Sequence, residues 1–440
     1  MHRARGPFDA NVDPRSSPRL RQDCDLTRTV PRHDPGIVGA MTQVQPVKVA
    51  RSTTGRKPHL PELDGLRGVA ILGVLLFHTG HLSGGFLGVD LFFALSGYLI
   101  TDLLLREIEA TGAVSPAAFW GRRIRRLLPA LAAMLVGVTV LVWAVGSPDM
   151  VRTTLADGPW VQLNLVNWHL LAESAGYWDR FGAARVFEHL WSIAVEEQFY
   201  LVWPVLLLII ARCGRRVDRR VAVTAAVGSG VSLVLMVTLV SSADPTRVYT
   251  GTDTRAFSLL LGALVATRPM RALLARTVGR CAGAVSVLLV VGIGTSWSLV
   301  DGVNSLWLFT GGLFAHSLAA ALLIGLCVQA PQALVVRVLA WRPLRWLGLI
   351  SYSLYLWHWP VIVLLSPQRG WIRTAVVCAV SVGLAALSKY LVEDPIRFHA
   401  TWARGRSGVL AFAALMVGLA VLWLALPAPA PATIDITKLG

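Results

Sequence analysis

Beyond residue 60 the chain alternates between apolar runs of about twenty residues, the length at which an α-helix crosses a bilayer, and short polar stretches. The runs fall near 64–81, 86–105, 127–147, 191–211, 221–241, 254–267, 281–300, 308–328, 346–365, 372–392 and 408–427, which predicts about eleven transmembrane helices. The sixth is the shortest. Arginines gather in alternate gaps: Arg122, Arg123, Arg125 and Arg126, then Arg212 to Arg220, Arg268 to Arg280, Arg337 to Arg345, and Arg397 to Arg406. Short loops rich in Lys and Arg stay in the cytoplasm, so this pattern predicts a cytoplasmic N-terminus and an extracytoplasmic C-terminus. The expected fold class is an all-α polytopic integral membrane bundle.

Residues 1–57 are polar, rich in Arg and Pro, and lack the apolar core of a signal peptide, so they read as a disordered basic cytoplasmic tail. Met41 offers an alternative start. Residues 58–400 are expected to form the membrane domain, and 401–440 a further transmembrane helix with a short extracytoplasmic tail. The outer stretch from Pro148 to Leu190 alternates Trp160, Trp168 and Trp178 with Asn164, Asn167 and His169, as an interfacial segment or an irregular lid would.

Composition narrows the function. A hydrophobic content of 55% with only 15% charged residues excludes an ordinary soluble protein. The net charge of +16 raises nucleic acid as a partner, but the basic residues sit between apolar runs and read as loops, so no nucleic acid is expected and the partner is the bilayer. The five cysteines show no metal-ligand spacing, and no metal is expected.

The remaining ionisable groups lie inside apolar runs, where each needs a reason. Arg67 and His78 are eleven positions apart on the first run, which puts them on nearly one helix face about 16 Å apart. Charges in hydrocarbon usually face a bundle interior and mark a functional path; snorkelling to the two interfaces is the alternative. Asp90 stands alone in the second run among the small residues Gly85, Gly88, Ser96 and Gly97, and could pair with Arg67 or His78 or form a structural ion pair. Glu196 and Glu197 are adjacent on the fourth run, so only one can face inward. Arg255 lies on the sixth run, and Tyr352, Ser353 and His358 on the ninth. His358 precedes Trp359 and Pro360, and a proline frees a backbone carbonyl within the membrane that then needs a partner.

Taken together, these stretches resemble the acyltransferase 3 family of membrane O-acyltransferases. The resemblance rests on Arg67 and His78, the run from Phe92 to Ile100, Ala194 to Tyr200, Thr252 to Arg255, Ser351 to His358, and Val392 to Pro395. It runs from about Leu60 to Arg397, with two departures: Lys389 stands before Tyr390 where relatives tend to show Tyr then Arg, and the esterase-like domain that some relatives carry after the last helix is not expected here. The resemblance implies transfer of an acyl group, commonly acetyl, from acyl-CoA to a hydroxyl of a cell-envelope glycan, glycolipid or macrolide, in a bacterial plasma membrane. Acyl-CoA would be a substrate and no cofactor would be held permanently. His78, Glu196, Asp90 and His358 are then the candidate catalytic residues, and Arg67, Arg255, Glu197, Tyr352 and Ser353 the candidate substrate-binding residues. Two rivals from other classes are a glycolipid transporter or flippase without chemistry, and a structural anchor for a separate enzyme.

Overall fold

The computed structural model describes residues 60–178, 185–214, 216–302, 305–365 and 370–429. The expected N-terminal tail, with Met41, and residues 430–440 lie outside the described residues. Every regular element among the described residues is helical, since backbone groups without water must bond within their own segment. The first half runs α1 Pro61–His78, α2 Gly88–Thr111, α3 Pro116–Val145, α4 Pro148–Gln162, α5 Val166–Ala172, α6 Trp191–Arg212, α7 Val217–Leu239 and α8 Thr246–Thr250. The second continues with α9 Thr252–Ala266, α10 Arg268–Val278, α11 Ala282–Leu299, α12 Gly312–Gln329, α13 Leu334–Leu339, α14 Arg342–Leu364, α15 Trp371–Leu387 and α16 Gly405–Ala425.

Each of the expected apolar runs lies on a helix. Nine helices among the described residues are long and apolar enough to cross a membrane. Two helices on expected runs fall outside that group: α1 carries Glu62, Asp64 and Arg67 near its start, and α9 has only 15 residues. Helix α3 begins at Pro116 and takes in the cluster Arg122 to Arg126, because Ser115 caps it by accepting from the Ala118 N–H and Pro116 fills the first turn. Of the two readings of the outer stretch after Pro148, the irregular lid does not hold, since it forms α4 and α5; Ser147 caps α4 by accepting from the Met150 N–H.

Two parallel helix pairs organise the interior. Helix α1 lies along α14, and a side chain at Gly348 would collide with the Asp64 carbonyl of α1. Helix α2 lies along α9, where a side chain at Gly97 would strike the Leu259 carbonyl. Glycine in mid-helix disfavours the helix by about 1 kcal/mol relative to alanine, and here the offsetting gain is direct backbone contact. Both pairs place ionisable side chains face to face.

Candidate active site

At the end of α1, His78 Nδ1 lies 3.0 Å from Nε2 of His358 on α14, with the two rings stacked at 5.1 Å. His358 is fully buried and His78 only partly so. The His358 Nδ1 in turn lies 2.7 Å from the Tyr355 carbonyl, one turn back along α14. Pro360 has no N–H, so the Leu356 carbonyl four residues earlier loses its helical partner. His189, buried in the short turn just before α6, takes that carbonyl through Nε2 at 3.2 Å. The Tyr355 hydroxyl ties the same two elements, donating to the His189 carbonyl at 2.9 Å and meeting Ser192 Oγ at 2.7 Å.

The outer segments cover this cluster. The Trp359 ring lies 4.8 Å from that of His78, and its indole N–H donates to the Arg185 carbonyl at 2.8 Å. Arg185 also reaches back to Asp157 on α4 at 2.7 Å, where His169 approaches to 3.2 Å. Burial pushes the Asp157 carboxyl above its ordinary range, against the pull of Arg185 and His169. Trp178 packs edge-on against Phe77 and Phe86 beside the end of α1.

The other end of α1 is basic. Arg67 lies within electrostatic reach of Arg126 on α3 and of Glu196 on α6. Arg123 covers the Tyr200 ring at 3.8 Å and interacts with both Glu196 and Glu197. Ser96 of α2 donates to Glu196 Oε1. The Tyr352 hydroxyl donates to the Leu127 carbonyl at 2.9 Å, and Ser353 Oγ approaches Glu393 at 3.4 Å. Lys389, the departure from the family pattern, sits 2.9 Å from Asp394 and 3.7 Å from Glu393 in the π-helical continuation of α15. At the helical rise of about 1.5 Å per residue this basic end lies about 16 Å from His78.

Asp90 and Arg255 belong to neither end. They meet each other across α2 and α9 at 2.9 Å, both without exposure to solvent. Asp90 Oδ1 also accepts from Ser258 at 2.8 Å and Ser317 at 2.9 Å, while the Arg255 guanidinium lies 4.9 Å from the Tyr249 ring. The pairing of Asp90 with Arg67 or His78 that its position allowed does not occur: α9 lies along α2 and brings Arg255 to Asp90.

Of the residues singled out from the sequence, the structure therefore joins His78 with His358, and gathers Arg67, Glu196, Glu197, Tyr352 and Ser353 around the basic end. It leaves Asp90 and Arg255 as a separate pair. His189 was not among the residues singled out from the sequence. Its signal was the carbonyl freed by Pro360, whose partner turns out to lie on another helix.

Comparison with known proteins follows the same residues. A family model described as an acyltransferase domain matches residues 60–388. The peptidoglycan O-acetyltransferase OatA of Listeria monocytogenes is 33% identical over 361 residues, covering 79% of this chain and 57% of that protein. The O-acetyltransferase OatA of Staphylococcus aureus is 35% identical over 350 residues, covering 77% of this chain and 57% of its own length. The chain thus spans rather more than half the length of these curated relatives. No solved structure matches it.

Proposed function

Because the chain belongs to the acyltransferase domain family matched over residues 60–388, we propose that it is a multi-pass membrane O-acyltransferase, moving an acetyl group onto a hydroxyl of a cell-envelope glycan. The observation that carries this reading is the disposition of α1. Its partly buried histidine is bonded, among the described residues, through Nδ1 only, and its arginine lies about three turns away at the basic end. An alcohol attacks a thioester only as its proton is removed, whereas the thiolate leaves readily. A positioned imidazole base contributes about 10²–10⁴-fold. In this reading His78 Nε2 does that work.

Acyl-CoA is the donor this arrangement supports. Its phosphates match the cationic group of Arg67, Arg123 and Arg126, with charge-assisted bonds from guanidinium forks. Its flexible arm would then run along α1 toward His78. The arginine-rich end is taken as cytoplasmic, where acyl-CoA is made, and the histidine end faces the cell envelope. Glu196, held by Ser96, together with Glu197, balances the arginines; Tyr352 and Ser353 fix α14 against α3 and Glu393. A flippase would need charges free to handle its cargo along the way, yet Asp90 and Arg255 neutralise each other.

Mass spectrometry of glycan and lipid extracts from cells with and without the protein tests the reading. Loss of an acetyl increment from a cell-envelope glycan is expected on deletion. Unchanged acylation with an altered leaflet distribution of a glycolipid would instead favour transport.

A further inference from the structure

The directions of the hydrogen bonds around His358 follow from one fact of chemistry: a backbone carbonyl only accepts. The Tyr355 carbonyl lies 2.7 Å from His358 Nδ1, so that nitrogen carries the hydrogen. A neutral imidazole has one N–H, which leaves His358 Nε2 as an acceptor. His78 Nδ1, at 3.0 Å from it, is then the donor. The one nitrogen of His78 left with a free lone pair is Nε2.

We propose that His358 is the positioning residue for His78, fixing it as the Nδ1–H tautomer and leaving Nε2 bare to accept the proton of the acceptor hydroxyl. This rests on the reading of His78 as general base and deepens it. The logic is that of a catalytic triad, with a neutral imidazole anchored on a main-chain carbonyl in place of the usual carboxylate. His189 occupies the Leu356 carbonyl that Pro360 frees, so it too donates through Nε2. Its ring meets that of His358 edge-on at 5.4 Å, and its Nδ1 has no hydrogen-bond partner.

The transfer then balances as follows. The acceptor oxygen bonds to the acyl carbon while its proton passes to His78 Nε2. The bond from the acyl carbon to sulfur breaks, and the departing thiolate takes that proton from Nε2. His358 gains and loses nothing: it holds the His78 Nδ1–H throughout and faces the charge that forms on His78 with a lone pair.

Two variants of the full chain in lipid nanodiscs separate positioning from packing. In His358→Gln the amide oxygen reaches about as far as Nε2 and still accepts from His78, whereas His358→Phe fills the volume and accepts nothing. The Phe variant should lose about a hundredfold or more in kcat, with KM for acetyl-CoA near wild type, because a wrong tautomer in a comparable dyad costs up to about 10⁴. The Gln variant should stay within about tenfold of wild type. Equal kcat in the two variants, or a Phe variant with wild-type kcat, would overturn the proposal. Nitrogen-15 spectra of histidine-labelled wild-type protein give a readout independent of turnover, with the His78 signal identified by its loss in His78→Gln. Hydrogen on Nδ1 is expected; hydrogen on Nε2 overturns the assignment even if the variants are poorly folded. The expected tautomer in a protein that transfers no acyl group would sink the acyl-transfer reading while supporting the positioning of His78 by His358.

Discussion

On α2 and α9, Asp90 and Arg255 meet at 2.9 Å with both side chains sealed from solvent; on α1 and α14, His78 and His358 meet at 3.0 Å with His78 only partly covered. Both contacts lie on parallel helices held close by glycine, yet they serve different ends. The first is a charged pair whose carboxylate is further bonded by two serines, so it is closed to any ligand and binds the helices together. The second is a pair of neutral rings in which one nitrogen is left over. What separates them is access: the first pair is sealed from solvent on both sides, whereas the second leaves a ring nitrogen on a partly exposed histidine, where a substrate can reach it.

Breaking the first pair from one side should have the larger effect on folding. Arg255→Ala leaves a buried carboxylate uncompensated and should lower stability by about 3–5 kcal/mol, seen as a fall in the melting temperature in detergent. Replacing both partners at once, Asp90→Leu with Arg255→Met, should cost less than the single change, since a buried pair and an apolar pair of similar volume differ little. A double variant less stable than either single one would show that the pair does more than satisfy itself.

The basic end should respond in binding instead. Arg67→Ala is expected to weaken donor binding about ten- to a hundredfold, the loss of a charged hydrogen bond worth about 1.5–3 kcal/mol, with little change in melting temperature. Arg67→Lys should recover only part of it, because a point charge does not reproduce a fork. Calorimetric titration with acetyl-CoA reads both. The smallest expected effect is that of Tyr355→Phe, which removes the hydroxyl bonds to the His189 carbonyl and Ser192 and should cost about 1 kcal/mol of stability while leaving the His358 anchor, a main-chain carbonyl, in place.

The helices were legible in the sequence because a bilayer imposes a length on apolar runs, and α1, α14 and their neighbours fall close to the runs read for them. Helices α4 and α5 were not, since short mixed segments outside the apolar runs have no such length to announce them. His78 and His358 were each visible as ionisable groups in apolar surroundings, but their contact spans 280 residues and depends on the register that Gly348 allows against Asp64. The partner of Asp90 was hidden for the same reason: Arg255 lies 165 residues away. Pro360 announced a carbonyl in need of a donor without naming His189.

Acetyl transfer by the purified full chain in nanodiscs, from labelled acetyl-CoA to a cell-envelope glycan fragment, measured for wild type and His78→Ala at equal melting temperature, tests the central claim most directly. Wild type should transfer label, and His78→Ala should bind donor normally but turn over about two to four decades more slowly. A folded His78→Ala protein that transfers at the wild-type rate would contradict the account.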